Sequence, residues 1–214
     1  MGPCFIDRNE NQIFFGQSGY GSLMKQFPAI SSLSPDEFER QVKAWLEASA
    51  GSLESFQTKH LEDLSGTDGD YAIDVTARFC ALGGASFLVL IECKRHKNPI
   101  KREVVQVLRD KQHSLGANKA MVVSTSGFQS GAIEYAKTHG IALIQIVSGQ
   151  AVYVQNSIQH TIRRIPDDAE DYVGLFYGEN PTGKLIFPQL VSTHQNLELL
   201  KFLAATPPTN DASR

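Results

Sequence analysis

Two charged residues stand where a buried strand should carry none. In Leu88-Val89-Leu90-Ile91-Glu92-Cys93-Lys94 an apolar run, the mark of a strand covered on both faces, ends in a carboxylate and an ammonium. Side chains alternate along a strand, so Glu92 and Lys94 share one face and Cys93 points to the other. Cys93 therefore reads as a small core residue. Eighteen residues earlier, Asp74 interrupts Ala72-Ile73-Asp74-Val75 in the same manner. Unpaired charge in such places is costly, so these groups need partners. A hairpin that sets Asp74 beside Glu92 makes two carboxylates and one ammonium converge at a strand end. From residue types alone this grouping is either a catalytic site or a buried ion pair.

The surrounding sequence supplies the elements that position these groups. Ser34-Pro35-Asp36-Glu37 predicts a helix start with an N-cap, a proline at the first helical position and a capping box. Phe38, Val42, Trp45 and Leu46 follow at helical spacing, and the helix should end near Ala50-Gly51. A loop rich in Gly and Asp spans Ser65 to Asp70. Tyr71–Phe79 and Ser86–Lys94 read as strands joined by a turn at Gly83-Gly84, an antiparallel hairpin. Asn98-Pro99 predicts a second helix running to about Leu115, with Val104, Val107 and Leu108 as its buried stripe. Ala120–Ser124 is a strand, Ala132–His139 a helix closed by Gly140, and Ile141–Val147 another strand. The expected fold is α/β: a mixed central sheet flanked by helices on both faces.

Outside this core the pattern weakens. Residues 1–33 form an N-terminal extension whose Gly16, Gly19 and Gly21 read as turns, because the lysine and Ser/Thr of a P-loop are missing. Residues 148–214 form a C-terminal extension, with a strand at Ala151–Gln155, a helix at Asn196–Ala205 and a frayed tail from Thr206. Tyr172–Tyr177 is apolar and aromatic. It either covers a sheet edge within its own chain or offers a contact to a second copy.

Composition narrows the function classes. No run of about 18 apolar residues exists, so no membrane partner is expected. Asp7, Arg8, Asn9 and Glu10 stand where an export signal needs an apolar stretch, and the three cysteines form no CxxC pair. Both features predict a cytoplasmic protein. Six histidines without HxxxH spacing give a zinc site little support. The net charge of −3 gives no global sign of a nucleic-acid partner, yet Lys94–His113 holds seven Lys/Arg against Glu103 and Asp110. Taken alone, such a run is a solvated helix face.

The order and spacing of these residues resemble a family. Asp74 followed by Glu92-Cys93-Lys94 resembles the D…(D/E)xK signature of the PD-(D/E)XK nucleases. Phe38-Glu39, Gly69, Val122-Val123-Ser124-Thr125-Ser126-Gly127-Phe128, Ala132, Tyr135, Ala136 and Ile141-Ala142-Leu143-Ile144 extend the resemblance to the Mrr-type (type IV) restriction endonuclease catalytic domain. It covers residues 35–147 and implies a restriction-endonuclease-like core at 34–147. The sequence departs from the pattern at Ile73, where proline would precede the aspartate.

The resemblance implies that Asp74, Glu92 and the Cys93 backbone carbonyl hold Mg²⁺, with Mn²⁺ a substitute, and that Glu39 completes the site directly or through water. Lys94 would position or deprotonate the attacking water, and Gln106 stands where some relatives carry a helix glutamine near the site. Phosphodiester hydrolysis builds negative charge on phosphorus and on the leaving oxygen. A metal held by hard oxygens withdraws that charge and acidifies bound water, and a lysine on the same strand face orients the nucleophile. Arg95, Lys97, Lys101 and Arg102 would then grip DNA through its phosphates. The function so implied is a metal-dependent endonuclease hydrolysing DNA, a restriction or defence enzyme. The alternatives are a structure-selective nuclease resembling a junction resolvase, or a DNA-binding module with a degenerate site. One nuclease motif per chain cuts one strand, so a homodimer is expected for a double-strand break.

Overall fold

The helix that carries Glu39 forms where its caps demand it. In α1 (Pro35–Ala50) the Ser34 hydroxyl accepts the Glu37 amide hydrogen at 3.2 Å, and the Glu37 carboxylate accepts that of Ser34 at 2.7 Å. Phe38, Val42, Trp45 and Leu46 are buried, as the helical spacing predicts. The computed structural model describes residues 32–81, 84–148, 171–177 and 188–205. The expected strand at Ala151–Gln155, most of the N-terminal extension, Gly83 and the tail from Thr206 lie outside those residues.

Seven strands are described: β1 (Gln57–Ser65), β2 (Asp70–Ala81), β3 (Ala85–Lys94), β4 (Lys119–Ser124), β5 (Ala142–Ser148), β6 (Tyr172–Phe176) and β7 (Gln189–Val191). They lie side by side in chain order in one mixed sheet. β1, β2 and β3 pair antiparallel, β3, β4 and β5 parallel, and β5, β6 and β7 antiparallel again. The parallel pairs are bridged by α2 (Arg102–Ser114) and α3 (Ser130–His139), the latter closed by Gly140 in the left-handed region that glycine adopts freely. A further described helix, α4 (Leu197–Ala204), follows β7.

The sheet separates two cores. Val75, Ala77, Val89, Ile91, Cys93, Met121, Val123 and Ile144 pack under α1 and α4, whereas Leu90, Val122 and Leu143 pack under α2 and α3 with Val105, Leu108, Ala132 and Ala136. No helix among the described residues is long and apolar enough to cross a membrane.

One element lies outside the sequence expectations and two expectations are corrected. β1 was not anticipated; its half-buried face is largely polar, so no apolar alternation marks it. The second helix starts at Arg102 rather than at Asn98-Pro99, because Ile100 is committed to a short parallel bridge with Phe128. Its amide donates to the Gly127 carbonyl at 2.9 Å, its carbonyl accepts from Gln129 at 3.0 Å, and its side chain is buried. The buried stripe of that helix is Val105, Leu108 and Gln112, while Val107 is 54% exposed.

Tyr172–Phe176 is a sheet strand, with Tyr172, Val173 and Phe176 buried inside the chain, so these side chains cover the sheet rather than a partner. Gly174 is required there: a Cβ would lie 2.6 Å from Trp45 Cζ2, because the Trp45 indole of α1 lies against this position of β6.

Candidate active site

The β2–β3 ladder runs from Ala81↔Ala85 to Val75↔Ile91, and Asp74 is the next residue. Its carboxylate accepts the Cys93 amide hydrogen at 2.7 Å. The alternation of β2 breaks at this point: Val75 belongs to the core under α1, and Ile73 to the core under α2 and α3. β1 is distorted at the same level. Leu61, between the paired residues His60↔Val75 and Glu62↔Ile73, has φ +50°, a left-handed conformation that costs an ordinary side chain about 1 kcal/mol or more.

Glu92 is buried and carries an ammonium on each oxygen. Lys94 Nζ lies 2.5 Å from Oε1, and Lys111 Nζ, from α2, lies 2.9 Å from Oε2. Burial pushes the Glu92 carboxyl up, but the Lys94 and Lys111 contacts outweigh it and hold the group below its ordinary range. Burial likewise pushes the Lys94 ammonium down and is outweighed by Glu92 and Asp74, so Lys94 is held above its ordinary value. In this arrangement Lys94 is a positive charge held on the face of Glu92. Asp74 is raised, chiefly by burial and further by the Glu92 and Glu39 charges, against the opposing Cys93 hydrogen bond and Lys94 charge. Burial also raises the Cys93 thiol well above its usual range, which leaves it a core group rather than a nucleophile.

Glu39 reaches this neighbourhood from α1, close enough for its charge to raise both Asp74 and Cys93. Its carboxylate lies 2.8 Å from His60 Nε2 of β1, a nitrogen also 3.6 Å from Asp36. Ligand-capable atoms of Asp36, Glu39 and His60 all fall within 4.8 Å of one another, although Asp36 is also held by Arg40 at 2.8 Å. The donors suit a hard divalent cation. Asp74 on β2, Glu92 on β3 and Glu39 on α1 offer hard oxygens, and Asp74 is destabilised as an anion and has no lysine hydrogen-bonded to it among the described residues. The group drawn within 4.8 Å, however, is Asp36, Glu39 and His60, without Asp74 or Glu92.

The basic residues divide into two groups. Arg95 and Lys97 are exposed and line an open cavity of about 860 Å³ at the C-terminal ends of β3, β4 and β5, together with His96, Thr125 and Gln145. The loop carrying them is fastened to the end of β4. Thr125 Oγ1 donates to the His96 carbonyl at 2.9 Å and accepts the His96 amide hydrogen at 3.0 Å, and Ser126 Oγ donates to the Asn98 carbonyl at 2.7 Å. Lys101 and Arg102 lie beyond Pro99, and the Arg102 guanidinium sits 4.9 Å from the Tyr135 ring centroid of α3. Gln106 is half-buried on α2 and makes no hydrogen bond to Asp74, Glu92 or Lys94 among the described residues.

Two site neighbours escaped the sequence reading. His60 sits on the strand that was not anticipated. Lys111 was one cation in a basic stretch, although its spacing three residues after Leu108 puts it on the sheet-facing side of α2.

A mixed sheet with helices on both faces, and two carboxylates and a lysine where β2 parts from β3, define a protein of the restriction-endonuclease-like superfamily. The restriction endonuclease family model, Mrr_cat, matches residues 30–152, more than half of the chain, and the chain belongs to that family. The crystal structure of a protein of unknown function, AF1548, is similar at 22% identity and a TM-score of 0.40, over 50% of this chain and 56% of that one. The chain thus spans just over half the length of that protein. No curated protein matches.

Proposed function

We propose that the protein is a divalent-metal-dependent deoxyribonuclease that hydrolyses phosphodiester bonds at Asp74, Glu92 and Lys94, serving restriction or defence. The observation that carries this reading is the convergence of the three groups where β2 separates from β3: Asp74 on the Cys93 amide at 2.7 Å, and Lys94 on Glu92 at 2.5 Å. Asp74, Glu92 and the Cys93 carbonyl would hold Mg²⁺ or Mn²⁺, with Glu39 completing the set. When bound, the ion supplies charge withdrawal from the phosphate and an acidified water.

The remaining work falls to the protein's own residues. Lys94, charged and on the face of Glu92, orients the attacking water. His60 holds Glu39, and the Cys93 amide fixes the Asp74 carboxylate. Arg95, Lys97 and Lys101 neutralise DNA phosphates on either side of the cut, which predicts binding that weakens steeply with salt. Two copies acting on opposite strands would produce a double-strand break.

The test is incubation of methylated and unmethylated plasmid with the full chain in Mg²⁺ or in EDTA. Cleavage in Mg²⁺ that EDTA abolishes is expected. No cleavage of either plasmid in Mg²⁺ or Mn²⁺ would overturn the reading.

A further inference from the structure

The two lysines on Glu92 are anchored differently. Lys94 is two residues along the same strand and shares the face of Glu92, so β3 itself fixes its position. Lys111 comes across from the last turn of α2 on a four-carbon stem, with 18% of its side chain exposed. α2 does not depend on this contact for its place. Val105 and Leu108 are buried against the sheet in the core that contains Leu90, and the Gln112 side chain donates to the Ala117 carbonyl at 3.3 Å. A buried ammonium–carboxylate pair returns in attraction about what it costs in desolvation, so docking a helix is a weak reason for a second lysine on one carboxylate.

We propose that Lys111 is a second active-site lysine, which occupies Glu92 Oε2 in competition with a divalent cation and is released by that cation to the substrate phosphate. The inference rests on the metal-dependent reading above. Asp74, Glu92 and Glu39 supply three negative charges, and Lys94 and Lys111 two positive ones, so without a metal the lysines nearly balance the acids. A cation on Glu92 would share one carboxylate with an ammonium that stayed on Oε2, and the two like charges would repel. Lys111 makes the longer of the two contacts, 2.9 Å against 2.5 Å for Lys94, and is the one that would give way. Its tether to α2 keeps it near the site, where the phosphate that arrives with the substrate is the anion left for it.

The test titrates the full-length wild type, Lys111→Met, Lys111→Arg and Glu92→Gln with MgCl₂ and MnCl₂ by calorimetry. Cleavage at saturating metal and a circular-dichroism melt are recorded for each. Lys111→Met should bind metal more tightly, by about three- to tenfold, because a competing positive charge is gone, and should cleave at least about tenfold more slowly. Lys111→Arg should stay near wild type in metal affinity. Should Lys111→Met fail to fold, Lys111→Gln carries the same expectation. Unchanged or weaker metal affinity in a folded, uncharged variant overturns the proposal. A wild type whose metal binding is insensitive to Glu92→Gln overturns the metal reading and this one together. Affinity lost in Glu92→Gln but unmoved in Lys111→Met removes the role of Lys111 alone.

Discussion

The Asp74 carboxylate is hydrogen-bonded to the backbone of the residue between Glu92 and Lys94, accepting the Cys93 amide hydrogen at 2.7 Å. A side chain here takes over the strand–strand contact just where the ladder stops at Val75↔Ile91. The acid is thereby fixed against the strand that bears the other two groups. Its own carboxyl is raised, chiefly by burial, so the anion is less favourable folded than unfolded. By linkage, that ionisation subtracts stability above the folded value, and the loss disappears as pH falls below the ordinary 3.8. In EDTA at neutral pH, Asp74→Asn should therefore melt no lower than wild type, while its cleavage in Mg²⁺ falls by about a thousandfold or more. A structural ion pair predicts the reverse, a lower melting temperature with specific activity intact.

Glu62 gives a pH dependence that has nothing to do with catalysis. Burial raises its carboxyl, but Arg78 at 2.7 Å, Thr76 at 2.6 Å and Lys59 at 2.9 Å outweigh it and bring the group to about 2. A depressed carboxyl stabilises the fold fully above its unfolded value of 4.5, and the benefit disappears as pH falls towards 2. The stability gap between wild type and Glu62→Gln should then be at most about 3 kcal/mol at neutral pH, less after solvent screening. It should narrow between pH 5 and 2 in urea titrations. A gap that is constant over this range would mean that the charge of Glu62 contributes nothing.

What could be read from the sequence follows from how locally each feature is determined. α1 was legible because Ser34 and Glu37 cap it and its buried residues keep helical spacing. β3 was legible because it is apolar on both faces until Glu92. β1 was not, since its inward residues Thr58, His60 and Glu62 are polar and meet Glu47, Glu39 and Arg78 rather than an apolar core. Asn98-Pro99 is a sound local signal for a helix start, and it lost to a non-local pairing of Ile100 with Phe128. Asp74, Glu92 and Lys94 could be found because strand periodicity exposes misplaced charge. Lys111 is hidden because a cation on a basic helix is ordinary until the sheet beneath it is known.

Leu61 tests whether the strand distortion beside Asp74 is held in solution. It is 58% exposed, so changing it removes little buried surface, and its φ of +50° is the feature at issue. Glycine accepts that conformation at a backbone-entropy cost of about 0.5–1 kcal/mol, close to the strain it relieves. A β-branched residue tolerates it poorly. Leu61→Val should be less stable than Leu61→Gly by about 1–2 kcal/mol in urea unfolding, against the usual strand preference for valine. Valine equal to or better than glycine would mean that β1 runs regularly past Asp74.

Gly174 links the C-terminal strands to the site through Trp45. A Cβ at 174 would meet Trp45 Cζ2 at 2.6 Å and both Trp45 Cη2 and Ile144 Cγ2 at 3.1 Å. Ile144 is fully buried within β5 and Trp45 is 4% exposed, so neither has free space to retreat into. Interiors this dense answer an added methyl by shifting an element, and the element that can shift is α1, which holds Trp45 and, nearly two turns earlier, Glu39. Gly174→Ala should cost about 2–4 kcal/mol in urea unfolding. If Glu39 acts with Asp74, the variant should also need more Mg²⁺ for half-maximal cleavage. Trp45→Phe makes room by removing the ring atoms that clash. The double variant Trp45→Phe/Gly174→Ala should therefore lose less than the sum of the single changes, a coupling of about 1 kcal/mol or more. Strict additivity, or an alanine variant as stable as wild type, would show that α1 does not bear on β6 through this contact.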